Sequence, residues 1–270
     1  MTTPLRIMVA ADKAYLRYAP TLLASIRATT EGPIEVGVVM QAMTEREKAR
    51  FREVCPGLDL VFFELGYVLP DTLSTRAYLS PFAFARVFMP QLVEWSRFIY
   101  LDIDMIVRAD LRELFELDLG DAPVASVKVN TEYNSGLMVV NADLWRNENL
   151  ADQVMAYAEE FKPRTEDQGS IHGVMSDRIL PLEKKWNFTI EPIWSNQKRY
   201  SEAALSEVKV IHYITGFKPW NMGGYLIAKP FMAAWRAHKV RPVLARDWSQ
   251  EFRVLAWQIV VLSRKLVGRA

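Results

Sequence analysis

Apolar residues follow two rhythms along the first 65 positions. Residues 7–10, 34–40 and 58–65 form short apolar runs, read as strands. Between the first two runs, Leu22, Leu23 and Ile26 recur at helical spacing within residues 18–29. Before the third, Thr44-Glu45-Arg46-Glu47 has the form of a capping box that opens a helix to about Val54, because Thr and Glu side chains three apart satisfy each other's backbone donors. Strand, helix, strand, helix, strand predicts a parallel, doubly wound sheet, since parallel neighbours need a crossover between them.

Further along, residues 98–101 are apolar throughout and end at Asp102-Ile103-Asp104. Residues 124–129 and 137–140 predict two more strands, Asn141 a cap for a short helix from Ala142, and residues 150–161 a longer helix. Beyond Pro181 the pattern turns irregular and rich in Trp, Asn and Lys. Residues 208–212 read as a last short strand, and residues 235–270 as a helical, basic tail. There is no internal repeat and no low-complexity linker.

Composition narrows the class. Of 270 residues, 50% are hydrophobic and 24% charged, which supports a sizeable core and excludes global disorder. The formal charge of +1 gives no reason to expect nucleic acid as a partner. One cysteine, Cys55, excludes an internal disulfide framework and a thiolate zinc cluster, and fits a reducing compartment. No secretory signal is visible at residues 1–12. The longest apolar stretch, residues 254–262, is interrupted by Gln258 and is far short of a bilayer span. The expectation is a cytoplasmic protein, at most peripheral to a membrane.

Ligands of open parallel sheets bind outside the carboxyl ends of the strands, where Asp102 and Asp104 are predicted to lie. Two carboxylates one residue apart repel unless a charge comes between them. A divalent cation such as Mg²⁺ or Mn²⁺ removes that conflict and suits a diphosphate. A bare Asp-x-Asp also arises by chance, so the flanking apolar strands matter. A second group is His212 to Trp220: an imidazole suited to Mn²⁺, Gly216 where backbone can approach a ligand, and Lys218 for a phosphate oxygen. A third is Asn134-Ser135-Gly136 before an apolar strand, which an ordinary turn would also explain. A fourth is Asp167-Gln168, for which a helix N-cap is the plainer local explanation.

In this order the four groups resemble glycosyltransferase family 8, which includes glycogenin and bacterial lipopolysaccharide α-galactosyl- and α-glucosyltransferases. The residues carrying the resemblance are Ala10-Ala11-Asp12, Phe84-Ala85-Arg86, Tyr100-Leu101-Asp102-Ile103-Asp104, Asn134-Ser135-Gly136 with Asn141, Asp167-Gln168, Lys185-Trp186-Asn187 and His212 to Trp220. They run from about residue 6 to 222. The resemblance implies an α/β fold: a single GT-A-type nucleotide-sugar-binding domain over residues 1–230 with a mostly parallel central sheet, then a helical basic tail over 231–270. It implies a retaining transferase that moves a hexose from a UDP-sugar, UDP-galactose or UDP-glucose above all, to a hydroxyl of a glycan or lipid-linked saccharide acceptor with Mn²⁺. It places the metal on Asp102, Asp104 and His212, and the diphosphate on Lys218, with Gly216 in the same turn. Asp12 lies with Ala10 and Ala11 by uracil and ribose. Arg86, Asn134, Asp167 and Gln168 surround the donor sugar, with Asp167 and Gln168 catalytic.

The pattern departs from the family at Ala14, where relatives often carry Asn. The turn has Thr215 then Gly216 where Gly usually comes one place earlier. Lys128 and Asn130 follow a strand that often ends in Asp, leaving Glu132 as the nearby acid. Two rivals compete: a catalytically silent sugar-nucleotide-binding or scaffold protein of the same fold, and an aspartate-nucleophile phosphatase built on Asp102 and Asp104. The second needs a later acidic pair that the chain lacks. The tail has eight basic residues (Arg236, Lys239, Arg241, Arg246, Arg253, Arg264, Lys265, Arg269) against Asp247 and Glu251, with Trp248, Phe252, Leu255, Trp257, Ile259 and Leu262 among them. That suits either a helix docking on anionic membrane or a helix packed on the sheet with a solvated basic face. Family members acting on lipid-linked acceptors at the inner face of the cytoplasmic membrane favour the first.

Overall fold

The computed structural model describes residues 3–40, 42–65, 81–190, 205–214, 216–242, 244–245 and 248–267. Thr215 of the turn, and Arg246, Asp247 and Arg269 of the tail, lie outside the described residues. The strands are β1 (Leu5–Ala10), β2 (Ile34–Met40), β3 (Asp59–Glu64), β4 (Arg97–Leu101), β5 (Met105–Val107), β6 (Val124–Val129), β7 (Glu132–Asn141), β8 (Leu180–Leu182), β9 (Phe188–Thr189) and β10 (Val210–His212). The helices are α1 (Lys13–Leu16), α2 (Ala19–Thr29), α3 (Glu45–Val54), α4 (Ala85–Leu92), α5 (Arg112–Phe115), α6 (Ala142–Asn147), α7 (Leu150–Phe161) and α8 (Glu166–Met175). Two more, α9 (Lys229–His238) and α10 (Trp248–Val267), make up the tail.

Seven strands form one sheet in the order β3-β2-β1-β4-β7-β6-β8. The predicted α/β class and mostly parallel sheet are found: β1, β2, β3 and β4 run parallel, as do β6 and β8. β7 is antiparallel to both β4 and β6. Alternation along the strands divides the core between two faces. Ile7, Val9, Val36, Val38, Ile99, Leu101, Leu137 and Val139 face one cluster with Leu22, Leu23 and Phe51. Met8, Val39, Phe98, Tyr100, Met138 and Val140 face the other with Trp145, Leu150 and Val154. Burial on both faces is why these strands lack a polar stripe.

The capping box is present: the Thr44 side chain accepts from Glu47 N–H and Glu47 accepts from Thr44 N–H. Asn141 caps α6 by accepting from Leu144 N–H at 3.1 Å. A second sheet, β5-β10-β9, was not expected from the sequence. Phe231, Met232 and Trp235 of α9 are buried beneath it with Ile106, Ile211 and Tyr213.

Candidate active site

Strand registers bring the distant motifs together. The turn after β4 carries Asp102 and Asp104 and leads into β5. β10 lies antiparallel to β5 with His212 opposite Met105, and Tyr213 N–H donates to the Asp104 carbonyl at 2.9 Å. On the other side β7 pairs with β4 so that Leu137 faces Leu101, and Asp102 N–H donates to the Gly136 carbonyl at 2.8 Å. A Cβ at Gly136 would fall 2.4 Å from His212 Cε1 and 2.7 Å from Asp102 Oδ2. Only glycine lets β7 approach this closely.

His212 Nε2 lies 3.6 Å from Asp102 Oδ2 and 3.3 Å from Asp104 Oδ1. One donor atom from each of the three residues falls within 4.8 Å of the others. Adjacent ligands of an octahedral ion are roughly 3 Å apart, so the set fits a divalent cation with little closing. Two carboxylate oxygens and an imidazole nitrogen are also donors of the right hardness.

From sequence, Asp102 and Asp104 are expected to repel each other without a metal. The structure corrects this: each has its own cation. Asp102 Oδ1 is 3.1 Å from Arg86 and accepts from Tyr100 Oη at 2.6 Å. Asp104 Oδ2 pairs with Lys218 Nζ, which also donates to the Tyr213 carbonyl at 2.6 Å. Burial pushes the Asp104 carboxyl up, but the Lys218 charge, with His212 beside it, outweighs that and holds it below the usual range.

Arg86 joins two parts of the site. Its Nε is 3.1 Å from Asp167 Oδ2 while Nη2 reaches Asp102, and Nη1 donates to the Ser135 carbonyl at 2.8 Å. Burial works against the guanidinium charge, yet Asp102 and Asp167 raise its pKa further. Asp167 is 6% exposed, and burial pushes its carboxyl up, with Arg86 offsetting part of that. The N-cap position of α8 belongs to Thr165, so Asp167 is inside the first turn, bound to Arg86 and to Ser135 Oγ at 3.0 Å. Glu166, just before it, has φ +51, a conformation costly for a non-glycine residue that recurs at functional sites.

Gln168 donates to Glu132 Oε2 at 2.8 Å and accepts from Asn134 Nδ2 at 2.9 Å. Glu132 is thereby engaged at Gln168. Asp12 caps α1, its carboxylate accepting from Tyr15 N–H at 3.0 Å; Ala10 is half-buried and Ala11 buried where β1 ends. Tyr15 escaped the sequence reading, and Asn187 was named there without a role. Tyr15 has its phenol pushed up to about 12 by burial and then by the charges of Asp104 and Asp12. Asn187, 2% exposed, has its Oδ1 2.9 Å from His212 Nδ1. Its place in Lys185-Trp186-Asn187 was the available signal.

Gly216 is approached by the tail. A Cβ there would meet the Trp257 ring at 2.3 Å, and its carbonyl accepts from Gln258 Nε2 at 2.9 Å and Asn221 Nδ2 at 3.1 Å. Trp220 stacks on Tyr18 with centroids 4.3 Å apart. α10 thus packs on the turn that carries Lys218, where the sequence suggested either membrane or sheet.

A family model described as glycosyl transferase family 8 matches residues 6–223. The chain is 30% identical over 210 residues to glycosyltransferase GlyB of Streptococcus pneumoniae, covering 71% of this chain and 47% of that protein. It is 26% identical to glycosyltransferase GlyE of the same organism, over 80% of this chain and 56% of that protein. The chain thus spans about half the length of these two curated relatives. In fold it resembles the GlyE crystal structure (TM-score 0.71, 23% identity, 96% of this chain and 64% of that one). It also resembles the galactosyltransferase LgtC in complex with donor and acceptor sugar analogs (TM-score 0.70, 20% identity, 88% and 98%). Because the matched stretch runs from within β1 to beyond Lys218, it takes in the strand ends and turns that build this cluster, and the chain belongs to glycosyl transferase family 8.

Proposed function

We propose that this glycosyltransferase moves a hexose from UDP-galactose or UDP-glucose to a saccharide hydroxyl, with Mn²⁺ (or Mg²⁺) and with retention of the α configuration. The observation carrying this reading is the convergence of Asp102, Asp104 and His212 beside a buried Arg86–Asp167 pair. A cation held by the first three would supply positive charge beside the leaving diphosphate. Lys218 is the chain's own cation for that charge; it leaves Asp104 for a phosphate oxygen when the donor binds. Asp12, Ala10 and Ala11 at the end of β1 form the nucleotide side. Asn134, Asp167 and Gln168 form the sugar side, with Arg86 tying Asp167 to Asp102.

Positive charge grows on the sugar ring as the glycosyl bond breaks, and the Asp167 carboxylate stabilises it. Gln168 is a neutral amide fixed at both ends, so it orients the sugar and does not attack it. The incoming hydroxyl gives its proton to the departing phosphate oxygen and bonds to the anomeric carbon on the same face. A double displacement would need Asp167 as nucleophile; its Oδ2 is already engaged by Arg86 and Ser135.

Incubation with a panel of UDP-sugars tests the reading. UDP is expected from one donor with Mn²⁺ and not with a chelator, and the transferred sugar is expected to be α-linked by NMR. No UDP from any donor points to a silent binding protein, and metal-dependent turnover of p-nitrophenyl phosphate instead would point to a phosphatase.

We also propose that the enzyme works at the inner face of a membrane, docked through α10 on anionic lipid. No helix among the described residues is long and apolar enough to cross a membrane. Trp248, Phe252, Ile259 and Val260 are exposed on α10, and so are the basic residues Arg253 and Arg264. Cutting the chain near Lys239 removes Trp257 and Gln258 as well, so point substitutions test docking more cleanly. Salt-sensitive co-sedimentation with phosphatidylserine vesicles is expected for the full chain and lost in a Trp248→Ser/Phe252→Ser/Ile259→Ser variant. Equal binding by both would leave α10 as a support for the Gly216 turn.

A further inference from the structure

A file of polar side chains runs from Glu132 to His212. Gln168 Nε2 donates to Glu132 Oε2 at 2.8 Å, and Asn134 Nδ2 donates to Gln168 Oε1 at 2.9 Å. Asn187 Nδ2 donates to Asn134 Oδ1 at 2.7 Å, and Asn187 Oδ1 lies 2.9 Å from His212 Nδ1. Three amides in series could each be turned end for end, but two fixed groups settle their sense. At one end, an ionised Glu132 can only accept, and Thr165 Oγ1 also donates to it at 2.7 Å. In the middle, the Gly136 backbone N–H can only donate, and it donates to Asn134 Oδ1 at 3.1 Å. Asn134 must therefore present its oxygen to Asn187, whose NH₂ meets it and whose own oxygen is left facing His212.

We infer that Asn187 is a positioning residue that keeps a proton of the His212 imidazole on Nδ1, with the direction imposed from Glu132 and Gly136. Nδ1 must carry the proton to meet a carbonyl oxygen. Nε2 then carries the lone pair, and it is the nitrogen facing Asp102 and Asp104. The alternative tautomer would set a lone pair against the Asn187 oxygen and an N–H where a cation would sit. Metal-binding imidazoles are generally oriented by such a partner, whose loss lowers affinity by about 10–100-fold. The same file holds Gln168, so the amide on the sugar side and the imidazole on the metal side are parts of one hydrogen-bonded unit. Asn187 is 2% exposed and His212 3%, so water does not readily replace either.

This inference rests on the proposed metal site, and its test keeps the two apart. The chain has three histidines, so long-range imidazole ¹H–¹⁵N spectra of the metal-free protein at mildly alkaline pH are readily assigned. His212 is expected to show a protonated-type Nδ1 and an unprotonated-type Nε2. Asn187→Ala is expected to mix the tautomers and weaken Mn²⁺ binding, read by electron paramagnetic resonance, by about 10–100-fold. Asn187→Asp keeps an acceptor for Nδ1–H and is expected to restore tautomer and affinity. It also sets a carboxylate against Asn134 Oδ1, so kcat falls while Mn²⁺ affinity holds. A wild-type His212 protonated mainly at Nε2 overturns the inference. So does Asn187→Ala binding Mn²⁺ as tightly as wild type. If the alanine variant fails to fold, the wild-type spectrum and the aspartate variant decide it. If wild type binds no Mn²⁺, the metal reading fails, and the spectrum still judges the tautomer.

Discussion

Asp104→Ala and Asp104→Asn are both expected to reduce sugar transfer by roughly 10³-fold or more, because each removes an anionic oxygen from the site that, in the proposed reaction, balances charge on the leaving diphosphate. The two should part company in stability. Asp104 is the ion-pair partner of Lys218, whose residue is 8% exposed. Alanine leaves that ammonium with only the Tyr213 carbonyl, a loss of about 1–3 kcal/mol. Asparagine keeps an acceptor for Lys218 and should melt close to wild type. Thermal denaturation beside a UDP-release assay separates the effects. Transfer surviving in the asparagine variant would show that Asp104 serves Lys218 and not a metal.

Asp167→Asn is expected to lower kcat by about 10²–10³-fold while UDP affinity stays within about threefold of wild type. The substitution keeps the shape of the side chain and its bond to Ser135. What it removes is the negative charge, which Arg86 faces on one side and, in the proposed reaction, the sugar meets on the other. Asp102 remains to pair with Arg86, so the metal side keeps its geometry. Single-turnover rates and UDP titration measure the two quantities separately. A large loss of UDP affinity with an unchanged rate would put Asp167 on the nucleotide and not on the sugar.

The inner part of the sheet was legible because β1, β2, β4 and the apolar part of β7 are buried on both faces, which writes continuous apolar runs into the chain; β2 matches residues 34–40 and α7 matches residues 150–161. Thr44 and Asn141 were legible because caps are local. Strand direction was not, since a run of residues 137–140 reads the same parallel or antiparallel. β7 also begins at Glu132, five residues before its apolar part; Glu132, Tyr133, Asn134 and Ser135 carry no alternation, and only Glu132 and Tyr133 pair with β6 before the register shifts. β5 has three residues, too few for any periodicity, and yet its pairing with β10 is what carries His212 to the acids. Asp102, Asp104 and His212 were named from residue type and resemblance, and the structure brings them together. The cations beside the acids were hidden, because Lys218 meets Asp104 across 114 positions of sequence and Arg86 meets Asp167 through tertiary folding alone. The tail was read as one basic helix facing membrane or sheet; its two helices and the seat of Trp257 on Gly216 follow from contacts that no local pattern encodes.

Calorimetric titration of UDP, with Mn²⁺ and with a chelator, into wild type, Asp104→Asn and His212→Ala tests the central claim most directly. The account predicts UDP binding by wild type that needs Mn²⁺, and loss of that metal dependence in both variants. Undiminished Mn²⁺-dependent binding in both variants would contradict it and remove Asp102, Asp104 and His212 as the metal site.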